Sequence, residues 1–259
     1  MKRILFLLFI TSMISCTNQQ NDQAQTEPNE TETDNALTNE VESTIQDTNK
    51  VILIKPKDDA EKNLGVHIPD SAKNDLAILF RQGTTAYENG DFEGGVEIFK
   101  QFIVKDPNIA KAHYNLGVGL FHLDRFYDAL QEFNKAIEIN PEDPLAIQYR
   151  GRSYYMLENF SSCLEDYETV VKLTPDDPVA YYNRGTALGN IKNYLGAIKD
   201  FEKAIELKPD YAEAYFNCGL VNLFQGRRHE ACISWQKAHE LGHYEAEKAI
   251  RQYCEEDQE

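Results

Sequence analysis

Bases, cysteine and tryptophan are all scarce in this chain. Against 43 acids there are only 26 lysines and arginines, a formal net charge of −17 at pH 7. Such a balance argues against nucleic acid or anionic lipid headgroups as ligands, since both demand a local surplus of positive charge. Long apolar runs are missing too. The one continuous run, Ile4 to Ile10, falls well short of the roughly 20 apolar residues that a spanning helix needs. The five cysteines show no CxxC or CxxxC spacing, so the sequence writes out neither a metal site nor a dithiol centre. GxSxG, a phosphate-binding glycine loop and a dinucleotide-binding glycine pattern are also absent. The expectation is a chain with no cofactor and no catalytic residues.

What is present is a period. Gly83, Gly117, Gly151, Gly185 and Gly219 stand 34 residues apart without slippage, and Pro107, Pro141, Pro175 and Pro209 keep the same step. Self-similarity at 20 to 50 residues is the mark of stacked repeats. Residues 178–211 serve as the template. Asp177 is a candidate N-cap with Pro178 at the first helical position. Tyr181, Arg184/Gly185 and Leu188 follow at helical spacing, a turn falls near Lys192-Asn193, and Tyr194, Ala197/Ile198, Phe201 and Ala204/Ile205 mark a second helix ended by Pro209. Twelve residues after each glycine stands another small residue (Gly95, Ala129, Cys163, Ala197, Ala231), and four later an aromatic (Phe99, Phe133, Tyr167, Phe201, Trp235). The expected contact is therefore backbone against backbone at the glycine, with the aromatic beside it.

This pattern resembles the tetratricopeptide repeat (TPR) family, with copies starting at Leu76, Ala110, Pro144, Pro178 and Ala212 and spanning residues 76–243. Position 27 departs from the family's alanine in two copies (Phe102, Val170), and the fifth copy has His243 where its proline should be. The resemblance implies an all-α, right-handed superhelical solenoid of five helix pairs, with a concave groove lined by the first helix of each. Residues 244–259 are expected to give a C-terminal capping helix, through Ala246, Ala249/Ile250 and Tyr253, and an acidic tail.

Ahead of the repeats, Lys2-Arg3, the run Ile4 to Ile10 and Met13-Ile14-Ser15-Cys16 read as a signal peptide over 1–15. Its end resembles a bacterial lipobox, which implies an acylated Cys16, and Thr17 after it points to an outer-membrane lipoprotein, periplasmic or surface-facing. Residues 16–50 then carry eight acids from Asp22 to Asp47, no base before Lys50 and no aromatic, the composition of a disordered tether. In 51–75, the apolar Val51-Ile52-Leu53-Ile54 is read as a cap on the solenoid or as a partner-binding segment.

For function, the first helices offer Phe80, Tyr114, Tyr182 and Phe216 at position 5, with Asn115, Asn183 and Asn217 at position 6, a ladder broken at Tyr149. Arg81, Lys111, Arg152 and Thr186 complete the candidate groove set. Two acids, Glu88 and Glu213, stand there against three bases, so the groove is near neutral in an acidic molecule. An asparagine amide donates and accepts, and can pair with the main chain of any extended peptide. This resembles the asparagine ladders of peptide-binding family members. The competing reading has the asparagines bonding between neighbouring helices and the aromatics packing between repeats. The acids of the second helices, among them Asp128, Glu132, Asp166 and Asp200, read as a solvated outer face.

The expected role is a non-catalytic adaptor anchored to the cell envelope, with protein or peptide partners and no nucleic acid. A structural subunit of an envelope, secretion or pilus complex is the alternative. A distant one is a zinc peptidase, since His239-Glu240-Leu241-Gly242-His243 matches HExxH. Against it, the sibling copies place that helix end at Gly242. Cys232 and Cys254 could pair in an oxidising compartment, while Cys163 and Cys218 read as buried free thiols.

Overall fold

The computed structural model describes residues 70–254. The signal, Cys16, the tether, residues 51–69 and the acidic tail 255–259 lie outside the described residues. Among the described residues every regular element is a helix. They run α1 (Asp70–Glu88), α2 (Phe92–Lys105), α3 (Ala110–His122), α4 (Phe126–Ile139), α5 (Pro144–Met156), α6 (Phe160–Leu173), α7 (Pro178–Asn190), α8 (Tyr194–Leu207), α9 (Ala212–Phe224), α10 (Arg228–Glu240) and α11 (Ala246–Tyr253). Each helix packs on the next in sequence, giving a right-handed solenoid of five pairs closed by α11. The first helix of the first pair begins at Asp70, six residues ahead of the start that the period marks.

Local chemistry sets the ends. Asp143 and Asp177 accept backbone N–H groups from Leu145 and Val179 at 3.0 and 2.9 Å, with Pro144 and Pro178 at the first position of α5 and α7. Between the helices of each pair, one residue adopts left-handed backbone: Gly90, Asp124, Glu158, Lys192 and Gly226, with φ between 55° and 79°. The next residue caps the second helix wherever its side chain can, as Asn159 and Asn193 do for Ser162 N and Gly196 N at 3.3 and 3.2 Å. The fifth copy replaces the missing proline with Gly242 at φ 86°, and His243 N closes back on Ala238 O at 2.9 Å.

The core runs along the axis between the paired helices, and at the periodic glycines it differs from the expected backbone contact. A Cβ built on Gly83, Gly117, Gly151, Gly185 or Gly219 would stand 2.5–2.9 Å from the ring of Phe99, Phe133, Tyr167, Phe201 or Trp235. The glycine therefore makes room for the aromatic sixteen residues on, and all five rings are 0–1% exposed. A flat ring against a bare Cα fills the gap between helices with more dispersion contact than two backbones could.

Candidate functional site

The predicted groove residues divide into those that the packing consumes and those left to solvent. Tyr114, Asn115 and Tyr149 are 0–1% exposed, and Thr186, Asn183, Phe216 and Asn217 are buried as well. Arg81 and Lys111 are exposed, and Arg152 and Tyr182 are half-buried. Each buried group answers to its neighbours. Asn217 Nδ2 donates to the Tyr182 hydroxyl at 3.0 Å, and Asn190 Nδ2 to the Tyr155 hydroxyl at 2.7 Å, each across one repeat plus one residue. Thr186 Oγ1 donates to Tyr182 O at 2.9 Å. Tyr114 and Tyr149 meet edge to face at 5.7 Å, and the Arg152 guanidinium lies 4.9 Å from the Phe121 and Tyr149 ring centres.

For Asn217 the hydrogen bond to Tyr182 fits the reading in which the asparagines join neighbouring helices. Asn217 is spent on joining repeats, and Asn115 is sealed in with neither amide atom hydrogen-bonded. The reason is legible in the register. Asn217 finds a tyrosine hydroxyl 35 residues earlier, and the residue 35 before Asn115 is Phe80, which has none. What remains accessible or half-buried is Arg81, Lys111, Arg152 and Tyr182, one on each of α1, α3, α5 and α7, with Glu88 on α1 and Glu213 on α9.

Three charged contacts were not foreseen, and they overturn the reading of Asp166, Asp200 and Glu132 as a solvated face. Arg150 Nε donates to Asp166 at 2.9 Å, and Arg184 Nε to Asp200 at 2.7 Å, both pairs bidentate. Asp166 and Asp200 are 4% and 5% exposed. The hydrogen bonds to these carboxylates hold both guanidinium groups above their ordinary values, against the cost of burial. A signal existed in the sequence: only the copies with Arg at position 7 carry Asp at position 23, while the first and fifth hold Gln82 with Ile98 and Cys218 with Ser234. In the second copy, Glu132 turns to His113 Nδ1 at 2.7 Å, and Pro107 O stands 2.9 Å from Nε2.

The histidines give opposite pH limbs. Burial opposes charge on His113, but the Glu132 carboxylate and the Pro107 carbonyl outweigh it, and its pKa is raised. Its contribution is full below the unfolded value near 6.5 and is lost as pH rises through the higher folded value. His122 and His243 are lowered to about 4, chiefly by burial. They contribute above about 6.5 and lose that contribution as pH falls towards 4, on the order of 2 kcal/mol each. The thermal midpoint should therefore drop between pH 6.5 and 4.5 in a titration followed by circular dichroism. His243→Phe, which keeps the stack on Phe216, should flatten that limb, and an unchanged slope would refute the assignment.

His243 also settles the shape of the HExxH segment. Helix α10 ends at Glu240, Gly242 turns the chain, and the His243 ring stacks on Phe216 at 4.2 Å, while His239 is exposed on the helix. The two imidazoles do not share a helical face. Among the described residues no group of three His, Cys, Asp or Glu side chains could hold a metal ion, and no helix is long and apolar enough to cross a membrane.

Residues 80–144 match a tetratricopeptide repeat family model, and residues 191–226 match a TPR repeat model. The chain is a tetratricopeptide repeat protein. No curated protein matches it in sequence. Solved structures similar to this TPR protein include MamA 41-end from Desulfovibrio magneticus RS-1, at 22% identity and a TM-score of 0.62 over 67% of this chain and 96% of that one. A second MamA structure gives 24% and 0.60 over 70% and 96%. YrrB, titled a TPR protein with an unusual peptide-binding site, gives 22% and 0.59 over 69% and 93%. At these identities the likeness shows the fold alone.

At its C-terminal end the TPR array is closed covalently. Cys232 of α10 and Cys254, just past α11, form a disulfide with Cα atoms 5.8 Å apart. Cys163 and Cys218 are buried free thiols, as expected, and burial pushes both up, to about 12 and about 11.

Proposed function

We propose that this protein is a non-catalytic adaptor of the cell envelope, held by an acylated Cys16 and binding a peptide or partner protein along the concave face of its first helices. The observation that carries the groove reading is the set of side chains left to solvent there: Arg81, Lys111 and Arg152 with Glu88, Glu213 and the half-buried Tyr182, near neutral in a strongly acidic molecule. Such a face takes a peptide segment without the repulsion that the acidic remainder of the surface would set against an acidic partner. YrrB, of the same fold, is titled for its peptide-binding site. The Cys232–Cys254 disulfide fits an oxidising compartment outside the cytoplasm, which agrees with the signal and lipobox reading.

A second reading, a structural subunit of an envelope complex, draws on Tyr127, Leu195 and Ile233, which stand 73%, 56% and 58% exposed on the second helices. Photo-crosslinking in the native envelope separates the two. A photoreactive residue at Tyr182 should give partner adducts and one at Leu195 or Ile233 none. Adducts from Leu195 or Ile233 alone would overturn the groove reading. In the same cells Cys16→Ser should move the protein to the soluble fraction, and retention in membranes would refute the anchor.

A further inference from the structure

We propose that the Cys232–Cys254 bond is a redox latch on the C-terminal cap, and that its reduction by a dithiol lets α11 leave α10 while the groove stays folded. The inference stands on the cap alone, independent of the groove reading.

Helix α11 has eight residues, Ala246–Tyr253. A helix of that length has little stability of its own and exists only while docked. Its docking is thin. Ala246 and Ala249 are buried, the Tyr253 ring lies 5.7 Å from that of Trp235, and Arg228 Nε donates to Tyr253 O. The fully buried side chains of this seam are alanines, and each contributes little apolar area to holding the helix. The disulfide closes it from the far end, joining the residue after α11 to the first turns of α10, 22 residues back. Both cysteines are half-buried, so a reductant can reach the bond.

The other side of α11 explains what the latch protects. Glu247, Lys248, Arg251 and Gln252 are exposed, the polar outer face that ends a solenoid and keeps it from stacking on further copies. Beneath it, Trp235 is 0% exposed, with its indole N–H donating to Phe216 O at 3.1 Å. Opening the cap would bare one edge of that ring and the α10 surface beside it, an apolar end that the oxidised protein does not display.

The chemistry balances without a further reagent. One thiolate of the dithiol attacks a sulfur of the bond and forms a mixed disulfide, and its second thiolate displaces that bond. The reductant leaves as a cyclic or linked disulfide, and its two protons pass to Cys232 and Cys254, now free thiols. Closing a loop of about twenty residues biases docking on the order of 100-fold, so the cap should shift from closed to frequently open on reduction.

The chain's one tryptophan reports directly. With the full-length protein and dithiothreitol, complete reduction being verified by alkylation of Cys232 and Cys254, Trp235 emission should move to longer wavelength. Amide exchange in 246–253 should accelerate on the order of 100-fold, while α5 and α7 keep their protection. Cys232→Ser should show the same exchange pattern without reductant, and no response to it. Unchanged exchange in α11 after complete reduction would overturn the latch, since the seam would then hold unaided. Loss of protection in α5 and α7 as well would also overturn it, because the bond would then support the whole array and control no part of it.

Discussion

Gly117→Ala should destabilise the protein by about 2–3 kcal/mol, although in an ordinary helix the same change stabilises by about 1 kcal/mol. The sign is the test. An added Cβ would stand 2.6 Å from Phe133 Cε1, and that ring is 0% exposed with neighbours on every side. It can yield only by moving α4 or leaving its rotamer, and both cost packing in an interior that is already dense. Gly219→Ala meets Trp235 Nε1 at 2.5 Å and should behave alike. Gly196→Ala is the control. Its nearest neighbours, at 3.1 Å, belong to the Asn193 side chain, a cap that can shift in place, so the change should be neutral or stabilising. Urea denaturation gives each difference, and Phe133→Leu in the Gly117→Ala background should recover part of the loss. A stabilising Gly117→Ala would show that the glycine register has no steric cause.

That glycine was visible in the sequence as a period, yet its partner was misassigned, and the difference is instructive. Periodicity reports which positions share an environment, and here it placed α3, α5, α7 and α9 to the residue at their starts. Local chemistry did the same for Asp177, Pro178 and the turn at Lys192-Asn193. What periodicity does not carry is which two environments face each other. The small residue at twelve and the aromatic at sixteen are both on the facing helix, and only the depth of α2, α4, α6, α8 and α10 against their partners puts the ring on the glycine.

The candidate site suffered from the same limit more severely. Position along a first helix says that Tyr114, Asn115 and Tyr149 point towards the groove side, but not that the next repeat closes over them. Burial depends on the pitch of the stack, which emerges only when five copies pack. The paired charges were closer to legibility, because Arg150 with Asp166 and Arg184 with Asp200 occur together and vanish together across copies of one chain. That internal covariation is equivalent to a small alignment, and the stated acidity of the second helices concealed it. The disulfide was legible as a possible pair, Cys232 on the last repeat with Cys254 on the capping helix, and the docking of α11 on α10 brings the two together.

Asp200→Ala should cost about 2–4 kcal/mol, which lowers the thermal midpoint by roughly 5–10 °C for an array of this size. Two charge-assisted hydrogen bonds of 2.7 Å disappear, and the Arg184 guanidinium loses its counter-charge at the junction of α7 and α8. The side chain of Arg184 is 24% exposed, so it can turn partly to water, which holds the loss below that of a fully buried pair. The pair's net worth is a separate quantity. Arg184→Met with Asp200→Ala removes both charges and keeps much of the volume, and it should recover most of the stability, because the desolvation of both ions is relieved with their attraction. Amide exchange adds location: solenoid energetics are nearest-neighbour, so Asp200→Ala should loosen α7 and α8 before α3 and α4. If the single change costs under about 0.5 kcal/mol, the pair is a surface ornament of the kind whose median contribution is near zero, and its repetition in two copies would need another cause. If the double change is as damaging as the single, the Arg184 guanidinium, whose carbon lies 5.7 Å from the Tyr181 ring centre, supplies stability through that contact as well.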